Sequence, residues 1–375
     1  MKQKLVLNYD YLLDFEKIED VYKTIKSNSK HKEKIIAFHL FKRINFQDIY
    51  DMLENRRYVH RRYNVFLISE PKYRMIMSEC MCDKIVNHLV SKYILFPIIE
   101  PRLIDMNVAT RPNKGTKMAI YYMKKYINKL KINNDKVYAL KCDIHKFFYS
   151  IDHQVLLEKL YKIIEDKDVY NLVKNIINST NEEYISSLMD AEINKQKKYV
   201  QNLKISSYEK ECKFKELNRI PKYQKGKGLP IGNMTSQIMA IFYLNDLDHF
   251  IKEVLGVKYY IRYMDDLILI HPDKKYLKHC FGELEKKIVD FKLHFNKKTQ
   301  IYDIDDGVPF LGYKFKLNGK KLHVLLSSKT KKRIMVKVRK VRKKSNKSEE
   351  LEKIKINYNG YLIHANSGSF LYNLR

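Results

Sequence analysis

Apolar positions recur with two different periods along this 375-residue chain. The short run Tyr63-Asn64-Val65-Phe66-Leu67-Ile68 predicts a strand stopped by Glu70-Pro71. Over 78–96 the spacing turns helical, with Ile85, Leu89, Val90 and Ile94 on one face and Pro97 and Pro101 ending the helix. A loop over 107–116 leads into a helix over 117–130, and residues 137–142 predict a strand that runs into Asp143. Asp152 is placed to cap a helix reaching about 166, with Leu156, Leu160, Ile163 and Ile164 inward. A glycine-containing loop, 226–233, precedes a strongly apolar helix capped by Thr235 or Ser236 and extending to about 254. Tyr259-Tyr260-Ile261 and Leu267-Ile268-Leu269-Ile270 predict two strands, with Tyr263-Met264-Asp265-Asp266 at the hairpin turn between them. A helix over 274–291, a segment over 295–302 and a strand over 310–315 follow. Strands mixed with helices in this order predict an α+β fold, a sheet with helices on one face.

Three stretches lie outside that pattern. Residues 1–60 read as polar helices on which Val21, Ile25, Ile35, Ile36, Phe38, Leu40 and Phe41 are spaced to pack on a neighbour. Residues 181–224 are charge-rich and weakly periodic, which predicts an insertion or a mobile helical excursion. Residues 327–344 hold ten Lys or Arg and no acid, with Ile334, Val338 and Val341 as one helical stripe. Such a run of cations repels itself unless a polyanion is bound.

The charge of the whole chain points the same way. Lys and Arg number 73 against 43 Asp and Glu, a net charge of +30. A charge of that size and sign bears on partners and makes nucleic acid the expected ligand. Abundant Lys, Asn, Ile and Tyr also fit an AT-rich genome, which accounts for part of it. The five cysteines are scattered and odd in number, so a reducing cytoplasm is expected, and Cys80-Met81-Cys82 lacks zinc-knuckle spacing. The first ten residues show no signal-peptide core, and no apolar run is long enough to span a bilayer, so no membrane partner is expected.

Chemistry enters with the acids. Ionised carboxylates beside buried strands cost several kcal/mol unless a cation partners them. Asp143 ends one strand and Asp265-Asp266 occupy a turn between two others. If these strands pair, three hard oxygen donors converge in a setting that suits Mg²⁺, which takes its remaining ligands from water and phosphate. Two such ions clamp the attacking and leaving oxygens of a phosphoryl displacement.

Four motifs then appear in order: Asp143 with Phe147-Phe148, Gly228-Leu229-Pro230-Ile231-Gly232-Asn233-Met234-Thr235-Ser236-Gln237, Tyr263-Met264-Asp265-Asp266, and Phe310-Leu311-Gly312-Tyr313. In order and spacing they resemble the polymerase motifs of reverse transcriptases, most closely the bacterial branch of group II intron enzymes, retrons and diversity-generating retroelements. The resemblance covers roughly 60–325 and implies a right hand: an N-terminal helical extension at 1–60, fingers at 61–135, a palm with antiparallel sheet at 136–315 (helical insertion about 181–225), and a helical thumb at 316–375.

The resemblance also implies roles. Asp143 and Asp265 would be the main ligands of two Mg²⁺ ions, Mn²⁺ being a substitute, with the Ile144 carbonyl as a backbone ligand and Asp266 in second rank. Phe148 would be the gate against a ribose 2′-hydroxyl, while Phe147, on the other face of a strand, would be core. Arg74, then Lys84 and Arg111, would meet the triphosphate, and Lys298 would stand near the leaving pyrophosphate as general acid, with Lys297 as its competitor. Ile231, Gly232 and Gln237 lie on the wall beside the templating pair. Retroviral enzymes carry Gln where Ile231 stands, so looser base discrimination is expected; unchanged error spectra on sequencing the products of Ile231→Gln would refute that. Phe310, Leu311, Gly312 and Tyr313 match the primer grip, and Lys331, Lys332, Arg333, Lys337, Arg339 and Lys340 would lie along the template–primer hybrid.

The implied activity is RNA-directed DNA synthesis from dNTPs on an RNA template with a DNA or RNA primer, within a bacterial retroelement and with a cognate structured RNA or accessory protein as further partner. Two alternatives stand beside it: an RNA-binding splicing maturase, and a defence-type polymerase that adds nucleotides without a template.

Overall fold

In a computed structural model, residues 7–29, 32–70, 72–342 and 347–366 are described, and they divide into two interleaved units. The first comprises Met1–Leu103, Lys146–Asn245 and Phe291–Leu293; the second comprises Ile104–His145, Asp246–Asp290 and His294–Arg375. The stretch 136–315 contributes residues to both units. Pro71 and Lys343-Lys344, which the sequence places at a strand end and in the basic helix, lie outside the described residues.

In the first unit, Asn64–Ile68 (β1) pairs antiparallel with Arg74–Ser78 (β2). The second strand is absent from the elements the sequence predicts, although the alternation of buried Met75 and Met77 encodes it. The charge-rich stretch is two helices, Tyr184–Gln201 and Ser207–Asn218, the second opened by a Ser206–Glu209 capping box. They are not a mobile excursion. Ile185, Met189, Ile193, Val200 and Leu217 are buried in one core with Tyr63, Val65, Met75 and Met77. Lysines on the outer face mask this stripe in a composition count.

The helix expected over 78–96 begins later, at Met81, capped by the Cys80 thiol, and does not stop at Pro97. It passes through a wide π turn at Ser91–Leu95, which accommodates the proline ring and its missing N–H, and ends after Glu100–Arg102. Asp152 caps the helix His153–Tyr161 as expected, but a second cap, Asp166, starts another helix at Lys167–Asn178. The N-terminal helices Phe15–Asn28, Lys32–Leu40 and Lys42–Glu54 bury Val21, Ile25, Ile35 and Phe38, whereas Ile36, Leu40 and Phe41 are exposed. Over Lys32–Leu40 the apolar residues are spread around the helix and not gathered on one side, so only part of them is buried.

The second unit holds a four-stranded antiparallel sheet of Tyr138–Asp143 (β3), Tyr259–Tyr263 (β4), Asp266–His271 (β5) and Gln300–Asp303 (β6), in the order β4-β5-β3-β6. Its faces can be told apart by pairing. Ala139, Ile261, Ile268 and Ile270 share a core with Ile120 and Ile127 of the helix Thr116–Ile132. The alternate residues Leu140, Cys142, Tyr260, Leu267 and Leu269 are equally buried, on the side where the helix Lys274–Lys287 packs. Helices therefore cover both faces, not one. A strand that reads Leu-Ile-Leu-Ile has no polar side to leave in water.

A three-stranded meander of Val308–Phe310 (β7), Tyr313–Asn318 (β8) and Lys321–Leu326 (β9) leads to the helices Ser328–Val341 and Lys347–Leu362. Ile334, Val338 and Val341 are buried as the stripe predicts. Among the described residues no helix is long and apolar enough to cross a membrane.

Candidate active site

β3 and β5 run antiparallel with Asp143 opposite Asp266, the last pair of their register. Cross-strand partners point to the same face, so Lys141, Asp143 and Asp266 continue the row of Ala139, Ile268 and Ile270 beyond the apolar core. Two like charges directly opposite would destabilise the strand pair, and the Lys141 ammonium offsets one of them, 3.2 Å from Asp266 Oδ1. Asp266 is thereby engaged by a lysine.

Tyr263 pairs with Asp266, which leaves Met264 and Asp265 as a two-residue hairpin loop. Met264 is in the left-handed region at φ 56°, costly for a residue with a long side chain. The Arg262 guanidinium secures the turn, donating to the Met264 carbonyl at 3.1 Å. Arg262 is itself fully buried against Asp248, to which Tyr260 also donates at 2.7 Å. Burial works against the charge on Arg262, and the Asp248 carboxylate outweighs it, so the guanidinium pKa is raised. Neither residue belongs to the four sequence motifs, yet the signal for both is present. An Arg between Ile261 and Tyr263 in an apolar strand needs a buried acid, and Asp248 follows the apolar run 238–244 together with Asp246.

The other flank of Asp143 is held by backbone. Its N–H reaches Thr299 Oγ1 at 3.4 Å and its carbonyl accepts from Asn296 N–H at 2.6 Å. His145 N–H donates to the His294 carbonyl, so Ile144 faces Phe295 as a pair whose own N–H and C=O are not spent on each other. The Ile144 carbonyl is thus turned away from segment 294–296. Lys297 and Lys298 are both exposed beside Asn296, and their positions do not separate them. Arg111 is buried, and its guanidinium donates to the carbonyls of Ile104 and Asn107 at 2.7 and 2.8 Å. Instead of offering a free cation to a triphosphate, it ties its own loop.

Among the described residues no three His, Cys, Asp or Glu side chains are grouped to hold a metal ion by themselves. The expected three-carboxylate cage is in fact a facing pair with the third acid in the adjoining turn. Hard oxygen donors of this kind fit Mg²⁺ or Mn²⁺ all the same, because such ions bind through one or two carboxylates and draw the rest of their shell from water and phosphate.

Several other candidates collect in the first unit. Loop 228–233 is stitched to its neighbours: Gly228 N–H donates to Ile151, Leu229 N–H to Phe148 at 2.8 Å, and the Ile231 carbonyl accepts from Met77 N–H of β2. Gly232 has φ 145°, and a Cβ there would lie 2.4 Å from the Met77 carbonyl oxygen, so only glycine permits this approach. Phe148, half-buried, and Phe147, fully buried, differ as expected but for another reason. They sit on a helical turn, Phe147–Ser150, entered through Lys146 at φ 48°, and not on alternating faces of a strand. Arg74 is exposed on β2, near Tyr149, whose phenol burial pushes up to about 12. Lys84 is half-buried between Glu79 and His88. Gln237 is half-buried on the helix Met234–Tyr243, whose N-cap is Asn233; Thr235 hydrogen-bonds Asn87 instead of capping.

The Phe310–Tyr313 motif is not one strand. Leu311 and Gly312, at φ 48° and 86°, form the two-residue turn between β7 and β8. The Gly312 carbonyl accepts from Ser327 N–H at 2.9 Å and from Thr330 Oγ1 at 3.0 Å, so this turn is docked on the basic helix. On that helix Lys331, Lys332, Arg339 and Lys340 are exposed, while Arg333 and Lys337 lie against the rings of Tyr358 and Tyr361.

The family described as reverse transcriptase (RNA-dependent DNA polymerase) matches residues 68–315. Among solved structures, telomerase from Candida albicans, in complex with a TWJ fragment of telomeric RNA, is similar at 14% identity and a TM-score of 0.44. The match covers 82% of this chain and 55% of that one. No curated protein sequence matches.

Proposed function

Because the chain belongs to the reverse transcriptase family of RNA-dependent DNA polymerases, we propose that it extends a primer 3′-hydroxyl with dNTPs on an RNA template. The observation that carries this reading is the register placing Asp143 opposite Asp266, with Asp265 in the adjoining turn. When bound, two Mg²⁺ ions supply a lowered pKa for the primer hydroxyl and charge relief at the triphosphate. Asp143 and Asp265, with the Ile144 carbonyl, hold them. Lys141 fixes the Asp266 carboxylate, and Arg262 keeps the turn in the shape that presents Asp265.

By the family resemblance, Arg74 and Lys84 take the triphosphate, Phe148 excludes a 2′-hydroxyl, and Ile231, Gly232 and Gln237 line the templating pair. Lys298 or Lys297 protonates the leaving pyrophosphate, and Phe310 to Tyr313 hold the primer end. The setting is a bacterial retroelement in a reducing cytoplasm, with the chain arranged as fingers, palm and thumb.

Primer extension on a defined RNA template tests the reading. Asp143→Asn and Asp265→Asn should each lose roughly a hundredfold or more in single-turnover rate, the scale of removing a main electrostatic partner in a phosphoryl transfer. Asp266→Asn should lose less, about tenfold, because its charge is already balanced by Lys141. Full incorporation by Asp265→Asn would end the proposal, and synthesis that ignores the template would replace it with untemplated addition.

A further inference from the structure

The first unit contains a cavity of about 490 Å³ between the first turn of the helix His153–Tyr161, the helix Lys167–Asn178 and residues 225–227. No residue of the polymerase centre lines it. Lys174 enters it from the second helix, and Lys225 and Lys227 enter from the loop. The loop is well anchored. Gly226 N–H donates to Asn181 Oδ1 at 2.8 Å, its carbonyl accepts from His153 N–H, and Lys227 bridges to Asp152 through backbone.

The two acids of the lining are already committed. Asp152 accepts from Val155 N–H as the helix cap and pairs with Lys292 at 3.0 Å. Glu158 accepts from Gln154 at 3.0 Å. Among the described residues none of Lys174, Lys225 and Lys227 has a carboxylate partner. With Asp152 paired to Lys292, these three ammonium groups outnumber the remaining lining carboxylate of Glu158, and an anion with several oxygens offsets the positive excess.

The cavity also carries an aromatic wall. Tyr170 lines it and meets Tyr161 edge-on at 5.4 Å, with Tyr161 70% exposed. Cations spaced around a half-buried ring suit a ligand that has both phosphates and bases, the pattern of single-stranded nucleic-acid grooves.

We propose that this cavity binds a nucleotide of single-stranded RNA, the three lysines meeting its phosphates and Tyr170 stacking on its base. The site does not depend on the polymerase reading, since a chain unable to extend a primer would still bind here. A free nucleotide offers the same chemistry without the strand, so the experiment compares the two sources.

The probe is a fluorescein-labelled twelve-nucleotide RNA of one strand, followed by anisotropy over a series of salt concentrations with the full chain. Replacing Lys174, Lys225 and Lys227 by Ala should weaken binding about tenfold or more and reduce the salt slope by about 1.4, at roughly 0.7 for each of the two phosphates that flank the nucleotide. Tyr170→Ala should weaken it further and Tyr170→Phe should restore it, because stacking needs the ring and not the hydroxyl. Extension of a short RNA–DNA hybrid should be unchanged in these variants, which separates this site from the polymerase centre. A control replaces the exposed Lys198, Lys204 and Lys278. An equal loss in that control, an unaltered salt slope, or lysine dependence for AMP but not for RNA would each overturn the proposal.

Discussion

Arg262 holds Asp248 with two nitrogens, Nε and one terminal nitrogen each 2.6 Å from a different carboxylate oxygen, and neither side chain is exposed. A third nitrogen reaches the Met264 carbonyl in the turn that carries Asp265. The pair is therefore both a core element and a brace for the turn. Removing one partner leaves the other charge buried, so Asp248→Ala should cost about 3–5 kcal/mol in urea unfolding. Replacing the whole group, Arg262→Met with Asp248→Leu and Tyr260→Phe, should recover most of that loss. Primer extension should stay low in the triple variant, because the Met264 carbonyl has lost its donor. Full activity there would reduce the pair to core filling.

Glu79 makes stability fall with rising pH. Burial, with Asp83 nearby and Lys84 opposing, pushes its carboxyl from 4.5 up to about 8. An acid raised in the folded state binds its proton more tightly there than in the unfolded chain. Its contribution is complete below pH 4.5 and is lost as pH climbs through 8. His88, lowered from 6.5 to about 4 chiefly by burial, acts in the opposite sense below 6.5. Between pH 6.5 and 8, above the range of His88, urea midpoints of the native protein should fall relative to those of Glu79→Gln, in which Cys82, lowered from 9.0 to about 7, still acts in the opposite sense. Parallel pH curves for the two proteins would contradict it.

Glycines here differ in what they permit. Gly232→Ala drives a Cβ toward the Met77 carbonyl at a φ that L-residues avoid, and should destabilise by about 1–3 kcal/mol. Gly282, inside the helix Lys274–Lys287, has open space where a Cβ would stand. Gly282→Ala should stabilise by about 0.5–1 kcal/mol. Unfolding curves of the two variants should move in opposite directions.

The basic helix separates into two kinds of cation. Neutralising the exposed Lys331, Lys332, Arg339 and Lys340 should weaken binding to an RNA–DNA hybrid and flatten its salt dependence, with little change in stability. Arg333→Met and Lys337→Met should do the reverse, since these side chains lie over Tyr358 and Tyr361. Anisotropy across salt concentrations, paired with thermal unfolding, distinguishes the two sets.

Much of this site is legible in the chain itself. The runs around Tyr263 to Asp266, the strand into Asp143 and the stripe Ile334, Val338 and Val341 are local patterns, and period and composition are enough to read them. The order of the four motifs carries the family, and the family match spans them.

What the chain could not disclose is which distant groups meet. Asp143 stands opposite Asp266 and not Asp265 because strand register, set by apolar residues far up β3 and β5, decides the partner. Arg111 and Arg74 look alike as letters, yet one is buried on carbonyls and the other exposed on a strand. The helices at 184–218 belong to a core because a neighbouring hairpin offers them an apolar face. Local sequence determined the elements and the chemistry they carry; burial and register, which sum contributions from residues a hundred or more positions apart, determined which of those groups face one another.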